Sequence, residues 1–161
     1  MNEQRFSIAP ARTDDEVAAV TDLFRAYAAS LDVSPCFQGF DAELAAMPGK
    51  YAPPTGELLL AQDAEGRAIG CIALRSIDPE GACEMKRLYV TPQGRGLGVG
   101  ERLVSMILDE AKRIGYREMR LDTLPSMTNA IALYRKFGFE PMDAYYDTPL
   151  GDTLFLRRNL A

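Results

Sequence analysis

The residues with the clearest chemical potential form the segment QGRGLGVG, residues 93–100, between a predicted strand and a predicted amphipathic helix. Amide groups at a helix N-terminus lack partners within the helix, and the helix dipole favours negative charge there. Glycines allow the main chain to approach a phosphate closely. The segment therefore predicts a binding site for a phosphate or pyrophosphate, and the alternative is a glycine-rich turn that binds no ligand.

Two common phosphate-binding motifs do not fit this segment. A Walker A loop needs a lysine directly after a glycine, and no glycine of residues 93–100 is followed by lysine. In the dinucleotide fingerprint G-x-G-x-x-G, the third glycine would fall on Val99 or on Glu101. The preceding strand also belongs to a predicted antiparallel meander and not to a βαβ unit. A nucleotide-phosphate-binding protein is therefore disfavoured.

The pattern that fits is Gln-x-x-Gly-x-Gly at Gln93, Gly96 and Gly98, and with it the chain resembles the GNAT superfamily of acyl-CoA-dependent N-acyltransferases. The resemblance includes the strand CEMKRLYV before the loop and the block NAIALYRKFGF at residues 129–139, and it covers nearly the whole chain. It implies an α+β fold with mixed α/β character: a central, mostly antiparallel sheet of about six to seven strands, splayed in the middle and flanked by about four helices. It also implies one N-acetyltransferase domain over residues 1–161.

The resemblance further implies acetyl-CoA as co-substrate and gives the residues around it their roles. The strand before the loop would bulge and pair its backbone with the pantetheine arm, the loop amides would bind the pyrophosphate, and the next strand would splay away to leave a slot for the thioester. Asn129 would bind the pantetheine arm, and Tyr134 would point at the sulfur. The implied cofactor-binding residues are Leu88, Tyr89, Val90, Gln93, Arg95, Gly96, Leu97, Gly98, Val99, Gly100, Asn129 and Tyr134.

An attacking amine must lose a proton, and the chain contains no histidine to take it. Ser-His-Asp and Cys-His catalysis are therefore excluded, and the base must be Asp, Glu, Tyr, Lys, Cys or water. Glu84 is the candidate base, acting directly or through an ordered water, because the family often places a glutamate near the start of this strand. The alternative is a surface charge on the strand that pairs with Lys86 or Arg87.

Tyr134 is the second candidate catalytic residue, as the proton donor to the departing thiolate. A tyrosine has an ordinary pKa of about 10, close to that of a thiol, so proton transfer between them is nearly balanced. The alternative is an aromatic core residue, because Ile131, Tyr134 and Gly138 share one helix face. A backbone N–H near Tyr89 could stabilise the charge that develops on the carbonyl oxygen.

The amine acceptor is the part of the reaction on which the sequence says least. Candidate lining residues for its pocket are Phe37, Tyr51, Arg87, Thr123, Tyr145 and Tyr146. Asp122 and Glu84 could attract a cationic amine, whereas Arg87 could clamp a carboxylate. Each of these residues could equally be an ordinary packing or surface residue. The expected reaction is direct attack by a primary amine of a small molecule or peptide on acetyl-CoA in a ternary complex. The alternative function is that of a non-catalytic acyl-CoA-binding or sensor domain of the same fold.

Composition limits the possible partners and surroundings. The net charge of −5 argues against nucleic acid as the main partner. Cys36, Cys71 and Cys83 lie far apart, so no metal site is expected, and their odd number favours a reducing cytoplasm. Neither a signal peptide nor a membrane partner is expected, because no apolar stretch approaches the roughly 20 residues that span a bilayer. The resemblance is also compatible with a homodimer.

The hydrophobic pattern predicts the elements that must position these residues. A capping box at Thr13 and Glu16 opens a helix, and an antiparallel meander of three strands leads into the glycine loop. Residues 32–54, rich in proline, are expected to cover the acceptor side. The predicted strands span residues 6–9, 57–62, 68–77, 83–90, 117–123, 139–146 and 153–159, and the predicted helices follow Thr13, span 41–47 and 98–114, and end at 137.

Overall fold

The fold follows from a computed structural model, which describes residues 5–31, 40–148 and 151–161. Within these residues the strands are β1 (Phe6–Pro10), β2 (Glu57–Asp63), β3 (Ala68–Ile77), β4 (Ala82–Val90), β5 (Glu118–Thr123), β6 (Glu140–Met142) and β7 (Leu154–Asn159). The α-helices are α1 (Asp14–Ser30), α2 (Phe40–Ala45), α3 (Val99–Ile114) and α4 (Thr128–Lys136), and short 3-10 turns cover Gly49–Tyr51 and Pro92–Gly94. None of these helices is long and apolar enough to cross a bilayer.

The strands form one mixed sheet in the order β1-β2-β3-β4-β5-β7-β6. Every neighbouring pair is antiparallel except β4 and β5, which are parallel and connected through the glycine loop and α3. The crossover through a helix is what parallel neighbours require. The expected α+β fold, with a mostly antiparallel sheet and flanking helices, is therefore confirmed.

The sheet opens along the line between β4 and β5. The two strands pair only from Ala82 to Glu84 and from Glu118 to Arg120, although β4 continues to Val90 and β5 to Thr123. Beyond these residues each strand keeps only its outer neighbour, β3 or β7. The expected splay in the middle of the sheet is therefore present, and it places Glu84 at the point where the strands part.

Two hydrophobic clusters cover the two faces of the sheet, and β2 shows why. Its side chains alternate, so that Leu59 and Ala61 pack under α3 whereas Leu58 and Leu60 pack under α1. The α3 face is filled by residues at helical spacing, among them Leu103, Val104, Ile107 and Leu108, and the α1 face by Val20, Leu23 and Phe24.

The predicted helix boundaries agree closely with the structure. The capping box of α1 is present, with Thr13 accepting from the Glu16 amide and Glu16 accepting from the Thr13 amide. Helix α3 begins one residue later than predicted, after Gly98, and ends at Gly115 in the left-handed conformation. Helix α2 begins and ends earlier than the predicted 41–47, at Phe40 and Ala45.

One predicted strand is wrong over most of its length. The expected strand at residues 139–146 is only the three-residue β6, and the chain leaves the sheet after Met142. Tyr145 and Tyr146 instead stack edge-on against Phe155 of β7, with ring centroids 5.2 Å away in each case. Tertiary contacts of these two rings therefore outweigh the strand propensity of the segment.

Candidate active site

A bulge in β4 shapes the wall of the opening between the strands. Lys86 pairs with Ala73 and Tyr89 pairs with Cys71, so β4 holds one more residue than β3 over this step. Arg87, within the bulge, has φ +60°, a left-handed conformation that costs a non-glycine residue about 1–2 kcal/mol. The resemblance implied a bulge in this strand, and Arg87 is where the backbone departs from regular pairing.

The Arg87 side chain ties the bulge to α2. Its Nε lies 3.2 Å and its Nη2 3.1 Å from Glu43 Oε2, and its guanidinium stands 5.3 Å from the centre of the Phe40 ring. Lys50 adds a second ion pair to Glu43, with Nζ 3.0 Å from Oε1. Burial raises the pKa of Glu43, but the Arg87 charge and the hydrogen bonds from Lys50 and Tyr51 outweigh it and hold that pKa below its ordinary value.

A cavity of about 300 Å³ occupies the opening between β4 and β5. It is walled by α1, α2, β3, β4, β5, α4 and the segment after β6. Among the predicted site residues, the cavity brings together Glu84, Arg87, Leu88, Thr123, Tyr134 and Tyr146. These residues lie far apart in the sequence, and the splayed sheet gathers them around one space.

Glu84 is buried, with 1% of its side chain exposed, yet it lines the cavity. Both of its oxygens accept hydrogen bonds: Oε1 from Arg75 Nε at 2.7 Å and Oε2 from the Tyr145 hydroxyl at 2.6 Å. Lys86 Nζ is farther away, at 3.9 Å from Oε1. Glu84 is therefore not a surface charge, and its main partners are Arg75 and Tyr145, whereas Lys86 is a more distant ion-pair partner and Arg87 pairs with Glu43.

Tyr145 and Arg75 hold the Glu84 carboxylate in one orientation. Burial, and then the negative charge of Glu84, raise the pKa of Tyr145 above its ordinary value. Its hydroxyl therefore stays protonated and donates to Glu84 across the ordinary pH range. Burial lowers the pKa of Arg75, but the charge of Glu84 more than compensates and raises it.

Tyr134 has 5% of its surface exposed and faces the cavity from α4. Its ring packs edge-on against Phe139, at 5.9 Å between centroids. Burial, and then the charges of Tyr27 and Asp122, raise its pKa. Tyr134 is therefore an aromatic residue of the core that also lines the cavity, and its role as proton donor stays a prediction.

A second carboxylate, Asp122, lines the cavity from β5. Its Oδ2 accepts a hydrogen bond from the Tyr146 hydroxyl, and its Oδ1 lies 3.9 Å from Lys86 Nζ. Thr123, the next residue, is buried, and its hydroxyl lies 3.6 Å from the Met127 sulfur. The β5 wall of the cavity therefore carries a negative charge of its own.

The glycine loop ends at the N-terminus of α3 and leaves that end uncapped. Gly96 and Gly98 adopt φ +81° and +85°, and a Cβ at either position would meet no atom of the described residues within 4 Å. Gly98 is the N-cap and offers no side chain to the first amides of the helix. Gly94 differs, because a Cβ there would lie 2.9 Å from the Ile69 carbonyl oxygen. Exposed amides beside open space fit an anion.

A polar atom without a partner marks the entrance to this loop. The Thr91 hydroxyl oxygen is buried, and no hydrogen-bond partner for it lies among the described residues. Such atoms carry a free-energy penalty unless something satisfies them. The structure thus combines uncapped amides, open glycines and an unsatisfied hydroxyl along one short segment.

The remaining predicted cofactor-binding residues differ in how far their side chains are exposed. Gln93, Arg95 and Asn129 are exposed, as a ligand-binding surface requires. Tyr89 turns towards α1, where its ring lies 5.8 Å from that of Tyr27. Val99 is buried in the α3 cluster, so only its main chain is available to a ligand. The Val90 and Leu97 side chains pack partly against the same cluster, and Gly100 lies in the first turn of α3.

Two predicted acceptor residues, Tyr51 and Tyr145, do not line the cavity. Tyr51 is 1% exposed and belongs to the α1 cluster, where its ring meets Phe24 edge-on at 5.9 Å. Only its hydroxyl points towards the site, donating to Glu43 Oε1 at 3.0 Å. Phe37 lies outside the described residues.

Five charged cavity residues were missed or left without a role at the sequence level: Glu43, Lys50, Arg75, Lys86 and Asp147. Arg75 could have been found, because counting back from the β3–β4 turn places it opposite Glu84. Glu43 and Lys50 carry no comparable signal, since they come from an irregular segment whose path depends on tertiary packing.

Comparisons with known proteins identify the family of the chain. The sequence profile of the Acetyltransferase (GNAT) family matches residues 20–139. An uncharacterised N-acetyltransferase of Schizosaccharomyces pombe is 36% identical over 161 residues, which cover 100% of this chain and 99% of that protein.

Solved structures share the fold. An acetyltransferase of the GNAT family from Staphylococcus aureus Mu50 has a TM-score of 0.80 at 18% identity, covering 97% of this chain and 99% of that one. The phosphinothricin acetyltransferase (Pat) of Sinorhizobium meliloti, solved in complex with AcCoA, has a TM-score of 0.71 at 19% identity, covering 96% and 88%.

Proposed function

Because the chain belongs to the GNAT family of acetyltransferases and is thus an acyltransferase, we propose that it transfers an acetyl group from acetyl-CoA to a primary amine of a small molecule or peptide. The observation that carries this proposal is the cavity between β4 and β5, which places a buried carboxylate, Glu84, and a protonated hydroxyl, Tyr134, around one space beside the bulged strand.

Acetyl-CoA fits the residues present. The uncapped amides after Gly96 and Gly98 suit its pyrophosphate, and the free side of β4 from Leu88 to Val90 suits its pantetheine arm, with Asn129 exposed nearby on α4. When bound, it supplies the acetyl group as a thioester, an activated acyl donor. A structure of the same fold was solved with acetyl-CoA, which supports this choice of co-substrate.

Glu84 is the proposed base for the attacking amine. Arg75 and Tyr145 hold its carboxylate and keep its charge compensated. Since both oxygens already accept hydrogen bonds, the amine proton reaches Glu84 through a water molecule or through the remaining lone pairs of its oxygens. The Asp122 carboxylate on the β5 wall attracts the protonated amine into the cavity before the proton is lost.

Tyr134 is the proposed proton donor to the departing sulfur. Its hydroxyl is held at the cavity wall by the packing of its ring on Phe139. The raised pKa keeps it protonated at every pH at which the amine is reactive, so it can always donate. The same rise makes it a weaker acid than an ordinary tyrosine, so its role is to deliver a proton as negative charge builds on the sulfur.

A thiol-release assay over a broad amine panel tests the proposal. Purified protein with acetyl-CoA should release free thiol only when a suitable amine is present, and the acetylated amine should form in equal amount. If acetyl-CoA raises the melting temperature but no amine gives thiol release, the chain binds acyl-CoA without catalysis. If acetyl-CoA neither binds nor reacts, the proposed function is wrong altogether.

A further inference from the structure

The cavity between β4 and β5 is lined by many charged side chains, and most of them are hydrogen-bonded or ion-paired with one another. Glu43 accepts from Arg87, Lys50 and Tyr51, and Glu84 accepts from Arg75 and Tyr145. The Tyr146 hydroxyl donates to Asp122. Each of these three carboxylates therefore already accepts at least one hydrogen bond from the protein.

Lys86 is different from the other cations of the cavity. Its Nζ lies 3.9 Å from both Glu84 Oε1 and Asp122 Oδ1, which is beyond hydrogen-bond distance. No hydrogen bond from this ammonium is formed within the part of the chain that the structure describes. An ammonium has three N–H donors, and the Lys86 side chain, 17% exposed, lines the cavity, so a ligand in the cavity can accept from it.

The position of Lys86 on β4 is as informative as its pairing. It follows Glu84 by two residues and so faces the same side of the strand, one step nearer to the Arg87 bulge. A ligand that reached from the bulge towards Glu84 would pass the Lys86 ammonium. The strongest unused hydrogen-bonding group along this path is therefore a cationic donor.

We propose that the acceptor amine carries a carboxylate, as an α-amino acid does, and that the Lys86 ammonium binds that carboxylate. The inference rests on the proposed acetyl transfer and names the substrate class for the same cavity. A single carboxylate matches a single ammonium. A phosphate dianion would need a second cation, and Arg75 and Arg87 are already paired with Glu84 and Glu43. The cavity of about 300 Å³ suits a molecule of this size.

The reaction balances without another reactant. The amine nitrogen forms a bond to the acetyl carbon as the carbon–sulfur bond breaks, and the bonding electrons leave with the sulfur. One proton of the neutral amine passes to Glu84, the sulfur takes a proton from Tyr134, and solvent then carries the Glu84 proton back to Tyr134. The products are an N-acetylated amino acid and a free thiol. The carboxylate on Lys86 is unchanged throughout, since its role is to orient the amine.

The test compares α-amino acids with their own α-amides as acceptors, in the wild-type protein and in Lys86→Met, by thiol release with acetyl-CoA. Lys86→Met should lower kcat/KM for the amino acids by about 10- to 100-fold and change that for the amides by less than about threefold. Comparing one acceptor across two proteins removes the difference in amine basicity between acids and amides. Lys86→Arg should retain part of the preference.

Two further measurements make the result decisive. Lys112→Met removes an exposed lysine of α3 and should leave both acceptor classes unaffected. The thermal shift produced by acetyl-CoA should be the same in Lys86→Met as in the wild type, which shows that the fold and the donor site are intact. If acids and amides lose activity equally in Lys86→Met, or amides are the better substrates in both proteins, the carboxylate proposal is wrong while acetyl transfer stands. If no amine of any kind gives thiol release, acetyl transfer itself fails.

Discussion

Two buried carboxylates in this protein have similar surroundings but different positions. Glu84 is paired with Arg75 and lines the cavity, whereas Glu57, 2% exposed, is paired with Arg12 through bonds of 2.7 and 2.9 Å and does not. Removing the charge from either one leaves an arginine without its partner, so the expected loss of stability is comparable. The pair therefore separates a catalytic role from a structural one.

Glu84→Gln should lower kcat by about 100-fold or more, because a positioned general base contributes on the order of 10²–10⁴. The loss should be largest at low pH, where little of the amine is already deprotonated in solution. Glu57→Gln is the control and should keep kcat within about threefold of wild type. Steady-state thiol release from pH 6 to 9 measures both variants, and equal losses in the two would remove Glu84 from the mechanism.

Tyr134→Phe should lower kcat by about 100-fold while leaving acetyl-CoA affinity nearly unchanged, since only the hydroxyl is lost. Tyr116→Phe is a suitable comparison, because it removes the hydroxyl of a tyrosine that does not line the cavity and that donates to the Thr55 carbonyl at 2.6 Å. Turnover and the acetyl-CoA thermal shift should be measured together. Full turnover in Tyr134→Phe would assign thiolate protonation to water.

At the level of secondary-structure elements, two parts set the geometry of the site. One is the glycine loop, and the other is the ion pair between Arg87 and Glu43 that joins the β4 bulge to α2. Helices α1 and α3 were predictable from their apolar spacing and their caps. The position of α4 was also predictable, but its expected N-cap, Ser126 or Thr128, is wrong, because Met127 is the N-cap and gives no side-chain cap. The resemblance implied a bulge in β4, but its position at Arg87 was not predictable, since the left-handed backbone there is stabilised by Glu43, forty-four residues away. The end of β6 was mispredicted for a related reason, because Tyr145 leaves the sheet to reach Glu84.

Gly96 in the glycine loop and Gly66 in another turn have the same backbone conformation, so alanine substitutions at the two positions can be compared to test acetyl-CoA binding by the loop. Gly96 has φ +81° and Gly66, in the β2–β3 turn, has φ +82°, and neither leaves a Cβ in contact with other atoms. Alanine at either position should destabilise the protein by about 1–2 kcal/mol through backbone strain. Only Gly96→Ala should also weaken acetyl-CoA binding, by about tenfold or more, as measured by calorimetry. Equal cofactor affinities in the two variants would contradict the proposed pyrophosphate site.

Glu43→Gln should loosen α2 from the bulge and destabilise the protein by about 1–3 kcal/mol at pH 7. The folded-state pKa of Glu43 lies below its ordinary value of 4.5, so its contribution is fully present above that pH and declines as pH falls towards the folded pKa. The difference between wild type and variant should therefore be constant near neutrality and shrink below about pH 4.5.

Denaturant unfolding at a series of pH values checks this dependence. Glu80→Gln, at an exposed position in the β3–β4 turn, is the control and should be close to wild type throughout. A Glu43→Gln difference that grew on acidification would mean that the fold favours the protonated carboxyl of Glu43, and its pKa would then be raised and not lowered.

For the whole molecule, the sequence was enough to predict a splayed, mostly antiparallel sheet, because three motif blocks lie in a fixed order along the chain. It was not enough to describe the acceptor side, because that wall combines α1, α2, β3 and the segment after β6. Contacts such as Tyr145 with Glu84 join residues 61 positions apart and depend on the finished fold. The donor half of the site was therefore more predictable than the acceptor half.

Acetyl-CoA should stabilise the folded chain as a whole. At 100 times its Kd, a native-state ligand adds about 2.7 kcal/mol to the free energy of unfolding. For a domain of this size that corresponds to a rise in Tm of roughly 5–10 °C. Differential scanning fluorimetry with acetyl-CoA measures the shift, and pantetheine, which lacks the pyrophosphate, should give a smaller one. Equal rises in Tm with acetyl-CoA and with pantetheine would mean that the glycine loop contributes little to binding.

The parting of β4 from β5 has a consequence for solution behaviour. Most sheets carry their exposed main-chain edges at the margins, but here the unpaired lengths of β4 after Glu84 and β5 after Arg120 lie at the centre. Unpaired strand edges are templates for self-association. We expect the protein without acetyl-CoA to aggregate faster on concentration or mild heating than the protein with it. Bound acetyl-CoA would then reduce aggregation, because it would cover the unpaired edges of β4 and β5 that line the opening.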